Sequence, residues 1–422
     1  MNISPTAKNY LLVWGAIFLY AVIAAILVQL VILPYLLPGM HWGHGMLIGL
    51  DSPMYHKLAA ALSNKIATDG WGSWELRPDG QAPAGISAIM YVLTVPEPWT
   101  LIPLYAAVHA TTAVMAVAII RQFTQAWFVP LIAAAPLVFF PSSLTWVTQP
   151  YKDGFTILGT LLVVYSVSQV LVKEVKWKEA AVLTLYFFVG CVFIWIMRPY
   201  LTRVVMSPII AVLGPAMIAL QHIVLQRSGQ PTANFRQVAI KTSTIAVMLV
   251  AMYSFPNSGG AAKVGVKTAT GKCSGVINIR ENFIIASPNA RSGVDTDIEF
   301  ESCADIIAYA PRALIVGLFA PFPPEWFKTG TLPSYTYMIR ESAMEMVVVY
   351  FALAFLPLFA WRNRMRFDMW FIVAFSVAML LILTIVIPNL GTLYRMRYGY
   401  LLTLVALGVA EAGARLKFKT DK

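Results

Sequence analysis

The chain has 422 residues, 59% of them hydrophobic and only 12% charged, with a mean hydropathy of +0.70 and a formal net charge of +11. A water-soluble protein carries about 25% charged residues, so the composition excludes an ordinary soluble fold. The basic excess sits in short segments between apolar runs rather than in one patch, which excludes a nucleic-acid footprint.

The first apolar run, Leu11 to Leu37, has Gln29 as its only strongly polar side chain. It is too long and too lightly flanked for a cleaved signal peptide, so it reads as a permanent span. A first outer loop follows over residues 38–98. Within it, "GLDSPMYHKLAAAL" (49–62) begins a helical pattern of Met54, Leu58, Ala59, Leu62 and Ile66, which predicts an amphipathic helix in the membrane interface. Ser52 suits the N-cap and Pro53 the first helical position, so that helix can start without Asp51.

Further spans are predicted near Trp99–Ile120, Trp127–Val147, Phe155–Val172, Ala180–Met197, Val204–Leu225, Val238–Phe255, Met344–Trp361, Met369–Pro388 and Tyr398–Ala414. The expectation is one all-α transmembrane domain over residues 1–422, with about ten membrane helices and interfacial helices in two large outer loops. The second outer loop covers 256–343. Its stretch "DIIAYAPRALIVGLFAPFPPEW" is apolar but interrupted by Pro311, Pro321, Pro323 and Pro324, and reads as an amphipathic or re-entrant helix ending in a proline corner. Cys273 and Cys303 share this loop and are a candidate disulfide, with their geometry open.

With the amino terminus inside, the inner segments hold fifteen of the 31 Lys and Arg but five of the 20 Asp and Glu. This bias predicts cytoplasmic amino and carboxyl termini. Five cations break it by standing at outer ends of spans: Lys152 in "QPYKDG", Arg198 and Arg203 in "MRPYLTR", and Arg395 and Arg397 in "LYRMRYGY". Each alone fits snorkelling into headgroups. Three clusters with adjacent tyrosines fit a shared anionic ligand, and a phosphate matches guanidinium forks. In an extended stretch the side chains of Arg395 and Arg397 would point the same way; in a helix they would diverge by about 200°.

Two carboxylates, Asp51 and Asp153, stand at outer boundaries near these cations. Capping alone would explain Asp153, but the two acids together point to a site. Glu75, in "GSWELRPDGQAP", is a weaker candidate; with Tyr55, His56 and Tyr394 it could line a cavity or an acceptor site. His41 and His44 have His-x-x-His spacing without a third ligand nearby, a weak metal signal, so a divalent metal is left open without support and no other cofactor is assigned. No phosphate-binding loop, dinucleotide fingerprint or nucleophile elbow occurs, which disfavours a nucleotide-fuelled pump.

The acid in "DSPMYHKLA", the later "KDG" acid, the outer basic groups near the last spans and the "PRALIVGLFAPFP" stretch together resemble the GT-C superfamily of polyprenyl-phosphate-dependent glycosyltransferases. That group includes the lipid A aminoarabinose transferase and the protein O-mannosyltransferases. The chain departs from it in having "QAPAG" where a Pro-Pro pair is usual, and Asp51 with Ser52 where some members pair two acids. The resemblance implies a GT-C-like fold in a bacterial inner membrane, with the active site on the periplasmic face. It implies a polyprenyl-phosphate-linked sugar as donor, a glycan or lipid as acceptor, and inverting attack. Asp51 would be the general base and Asp153 would support the acceptor site or a second function in the cavity. Lys152, Arg395, Arg397, Arg198 and Arg203 would hold the lipid phosphate. An envelope polysaccharide polymerase or ligase using a lipid-diphosphate oligosaccharide is the first alternative. A flippase or transporter for polyprenyl lipids is the second.

Overall fold

The structure is a computed structural model describing residues 5–172, 174–227, 234–256, 273–286 and 292–420. Residues 257–272 and 287–291 of the second long loop, and the inner-side charges Lys173, Asp421 and Lys422, lie outside the described residues.

Helix α1 (Pro5–Leu27) continues as a π-helical segment, Val28–Leu36, around Pro34, which cannot donate to a regular ladder. A small antiparallel hairpin (His41–Gly43 with Met46–Leu47), α2 (Ser52–Asp69) and α3 (Ala82–Leu93) fill the first long loop. Then come α4 (Ile102–Arg121), α5 (Phe128–Phe139), α6 (Pro141–Thr148), α7 (Asp153–Val172), α8 (Trp177–Met197), α9 (Ser207–Arg227) and α10 (Phe235–Tyr253). The second long loop carries α11 (Ser274–Ala286) and α12 (Cys303–Phe319). The chain ends with α13 (Pro333–Arg362), α14 (Phe367–Val386) and α15 (Leu390–Thr420).

Among the described residues nine helices are long and apolar enough to cross a membrane, or ten if the α5–α6 pair is one span. The protein is an all-α polytopic membrane protein. Helix α7 is buried on nearly every side, as an apolar helix at the centre of a bundle must be. Peripheral helices instead expose apolar side chains such as Leu12 on α1 and Val212 on α9, as lipid-facing surfaces do. Helices α7 and α8 meet at Gly159 and Gly190. A Cβ on either would come within 2.6–2.7 Å of the other's carbonyl oxygen, so only glycine allows this approach.

Four features differ from the sequence expectation. The span expected over Trp127–Val147 is two helices bent by 62°, broken where Pro141 starts α6. Helix α12 runs through Pro311 and stops at Phe319; the carbonyl that Pro311 leaves free belongs to Ile307, which is exposed and can be solvated or covered. The last helix starts at Leu390, eight residues before Tyr398, because its polar first turns are helical though not apolar. Ser52 does not cap α2 with its hydroxyl; it is fully buried and donates to Gln149 Oε1 at 3.0 Å. Cys273 and Cys303 are bonded, tying the start of α11 to the start of α12.

Candidate functional site

Alternation of the spans brings the two long loops, the α6–α7 corner, the α8–α9 corner and the start of α15 to the same end of the bundle. Contacts confirm this: Ser334 of α13 donates to the Ile48 carbonyl at 2.8 Å, and Gly293 bridges to Asn389.

Asp51 precedes α2, and its side chain accepts no capping bond from that helix. Its carboxylate instead pairs with Arg395 of α15, Oδ2 to Nη1 at 3.0 Å, across 344 positions of sequence. Asp153, the first residue of α7, pairs with Arg198 beyond α8 at 2.7 Å, and both side chains are largely buried. Lys152 lies 5.6 Å from the centre of the Tyr55 ring, and Arg395 lies 5.5 Å from that of Tyr151. Asp153, Thr156, Thr160, Arg198, Arg395 and Tyr400 line a narrow crevice between α7 and α15. Three cations against two carboxylates leave this centre one positive charge in excess. Such an arrangement favours an anion that can displace a carboxylate from a guanidinium.

Burial, reinforced by the Arg198 charge, lowers Lys152 from its ordinary value to about 8, against the pull of Asp51 and Asp153. Burial also raises the Tyr55 and Tyr151 phenols, so both stay neutral donors near neutral pH. The sign for Lys152 has two consequences. Raising the pH through about 8 removes a cation and should weaken phosphate binding. The same lowered value means the unfolded chain binds more protons between about pH 8 and 10.4, so this group's contribution to stability rises there. Titrating inorganic phosphate against the wild type and Lys152→Arg should show affinity falling above pH 8 in the first and holding in the second.

The other predicted residues lie elsewhere. Arg397 is fully buried on the opposite side of α15 from Arg395, as a two-residue step on a helix dictates. Its guanidinium donates to the carbonyls of Val316 and Gly317, both at 2.9 Å, and of Ala320, satisfying the last turn of α12. It therefore docks α12 and is not a partner of Arg395 in the crevice. Arg203 stacks on the Tyr253 ring at 4.0 Å, facing α10. His56 bonds to the Tyr91 hydroxyl at 2.9 Å and is held below its ordinary pKa by burial and by His44. Glu75 is exposed. His44 pairs with Glu97 at 2.9 Å. Tyr394 donates to Glu345 at 2.5 Å.

Sequence reasoning missed that last acid. Glu345 is buried on α13 and also accepts from the Ser142 backbone and hydroxyl, both at 2.8 Å; Glu341, one turn earlier, is buried as well. Two acids four apart inside an apolar helix were the available signal. Among the described residues no group of three or more His, Cys, Asp or Glu is placed to hold a metal ion. Comparison with protein-family models, with curated proteins and with solved structures finds no match to this chain.

Proposed function

We propose that the chain is a membrane glycosyltransferase that moves a sugar from a polyprenyl-phosphate donor to an envelope glycan or lipid acceptor on the non-cytoplasmic face. Both termini would be cytoplasmic and the membrane a bacterial inner membrane. The observation that supports this reading best is the convergence of Asp51, Lys152, Asp153, Arg198 and Arg395 at one end of the bundle. The resemblance described above adds the substrate class.

In this reading the donor phosphate takes Arg395 from Asp51 and draws on Lys152 and Arg198. Asp153 keeps Arg198 in place. The freed Asp51 carboxylate accepts the proton of the acceptor hydroxyl as its oxygen attacks the anomeric carbon. The bond from that carbon to the phosphate oxygen breaks, the configuration inverts, and the lipid phosphate leaves with the electron pair. The cations offset the charge growing on it, so no general acid is required.

The test supplies purified protein in lipid nanodiscs with a sugar-loaded polyprenyl monophosphate or, separately, an oligosaccharide on polyprenyl diphosphate. Product masses are then read with a panel of glycan and lipid acceptors. A glycosylated product from the monophosphate supports the proposal. Product from the diphosphate alone replaces it with the polymerase or ligase reading. Lipid movement across the bilayer without covalent product replaces it with the flippase reading.

A further inference from the structure

A second cavity lies between α4, α5, α6 and α7, with Tyr105, His109, Leu137, Trp146, Gly154 and Ile157 on its walls. Tyr105 and His109 are one turn apart on α4 and present the same face. They are only 3% and 7% exposed, yet the Tyr105 hydroxyl and His109 Nε2 make no well-formed hydrogen bond among the described residues. The Tyr151 backbone N–H faces the Tyr105 oxygen and the Val138 carbonyl faces the His109 ring, in weak contacts that leave the phenol's own proton and one ring nitrogen for a partner in the cavity. Trp146 comes from α6, the second half of the one broken span found among the described residues. Broken spans are tolerated where they line a polar cavity rather than lipid. Ile157 lines both this cavity and the ionic crevice, so the two are neighbours along α7.

An apolar cavity stays dry, but one whose wall carries unpartnered donors and acceptors holds water, because buried polar groups rarely go without a partner. We infer that this cavity is a water-binding chamber in the membrane interior, held by Tyr105 and His109, that hydrates the inner side of the ionic centre. Water there bonds to the phenol and the imidazole at once and meets the crevice past Ile157. The inference goes beyond the transferase reading and does not depend on it.

X-ray radiolysis with mass spectrometry tests it on the intact protein in nanodiscs, with no turnover required. Radiolysis makes hydroxyl radicals from water in place, and they oxidise the side chains beside it. Samples in water enriched in oxygen-18 carry that isotope into the product. Trp71, 54% exposed, is the positive control, and Phe371, fully buried on α14, the negative one. The expected result is heavy-oxygen labelling of Trp146, together with Tyr105 or His109, at least fivefold above Phe371. Labelling at the Phe371 level in the wild type overturns the inference, whatever any variant does. In the double variant Tyr105→Phe, His109→Leu, Trp146 labelling should fall at least fivefold. Undiminished labelling in a folded double variant shows that these groups do not hold the water, and overturns it too.

Discussion

Replacing Asp51 with Asn is expected to lower sugar transfer ~10²–10⁴-fold, the usual contribution of a general base, while the bundle still folds. The fold tolerates the change for two reasons. The Asp51 carboxylate supports no backbone N–H of α2, so no cap is lost. Its pair with Arg395 is partly open to solvent, the Asp51 side chain being 44% exposed, and such a pair is worth about 0–1 kcal/mol. The loss should fall on kcat. Donor affinity should hold or improve, since Arg395 no longer has a carboxylate competing with the phosphate. Arg395→Gln should do the reverse, raising the donor KM more than it lowers kcat. Steady-state rates with varied donor separate the two. Transfer at the wild-type rate by folded Asp51→Asn would remove Asp51 from the mechanism.

The spans were legible because a run of about 20 apolar residues has few other uses. Their ends were less so, because hydropathy reports lipid contact and not helix. The segment around "LYRMR" has too many polar residues to look like a span, yet it continues α15 toward the long loops. That one boundary decided the roles of two arginines. As a helix it sends Arg395 to Asp51 and Arg397 to the carbonyls of α12. The meeting of Asp51 with Arg395 could be anticipated only as a shared end of the membrane, since nothing local links residues 344 apart. Arg203 and His56 looked like the other candidates, but nearby aromatic rings hold them elsewhere. Glu341 and Glu345 went unread because the expected boundary between the second outer loop and the span from Met344 falls between them, whereas one helix, Pro333–Arg362, carries both.

The largest effect on stability is expected at the buried pair of Asp153 and Arg198. Removing one partner of a buried ion pair costs about 3–5 kcal/mol, because the other charge keeps its desolvation penalty without its compensation. The two single variants should nevertheless differ. Arg198→Met leaves Asp153 with Lys152 and Arg395 still acting on it, so its cost should lie near the low end of that range. Asp153→Asn leaves three cations facing one half-exposed carboxylate, so its cost should lie near the high end. The double variant removes both charges and should recover about 0.5–3 kcal/mol relative to the sum of the singles. Reversible unfolding in mixed micelles measures all four states. Inorganic phosphate then distinguishes an anion site from a purely structural pair. It should stabilise Asp153→Asn more than the wild type, because an anion replaces the missing carboxylate, and it should do little for Arg198→Met. Equal stabilisation of both variants would mean that the crevice does not gather phosphate, and the cations would then serve only the packing of α7 against α8 and α15.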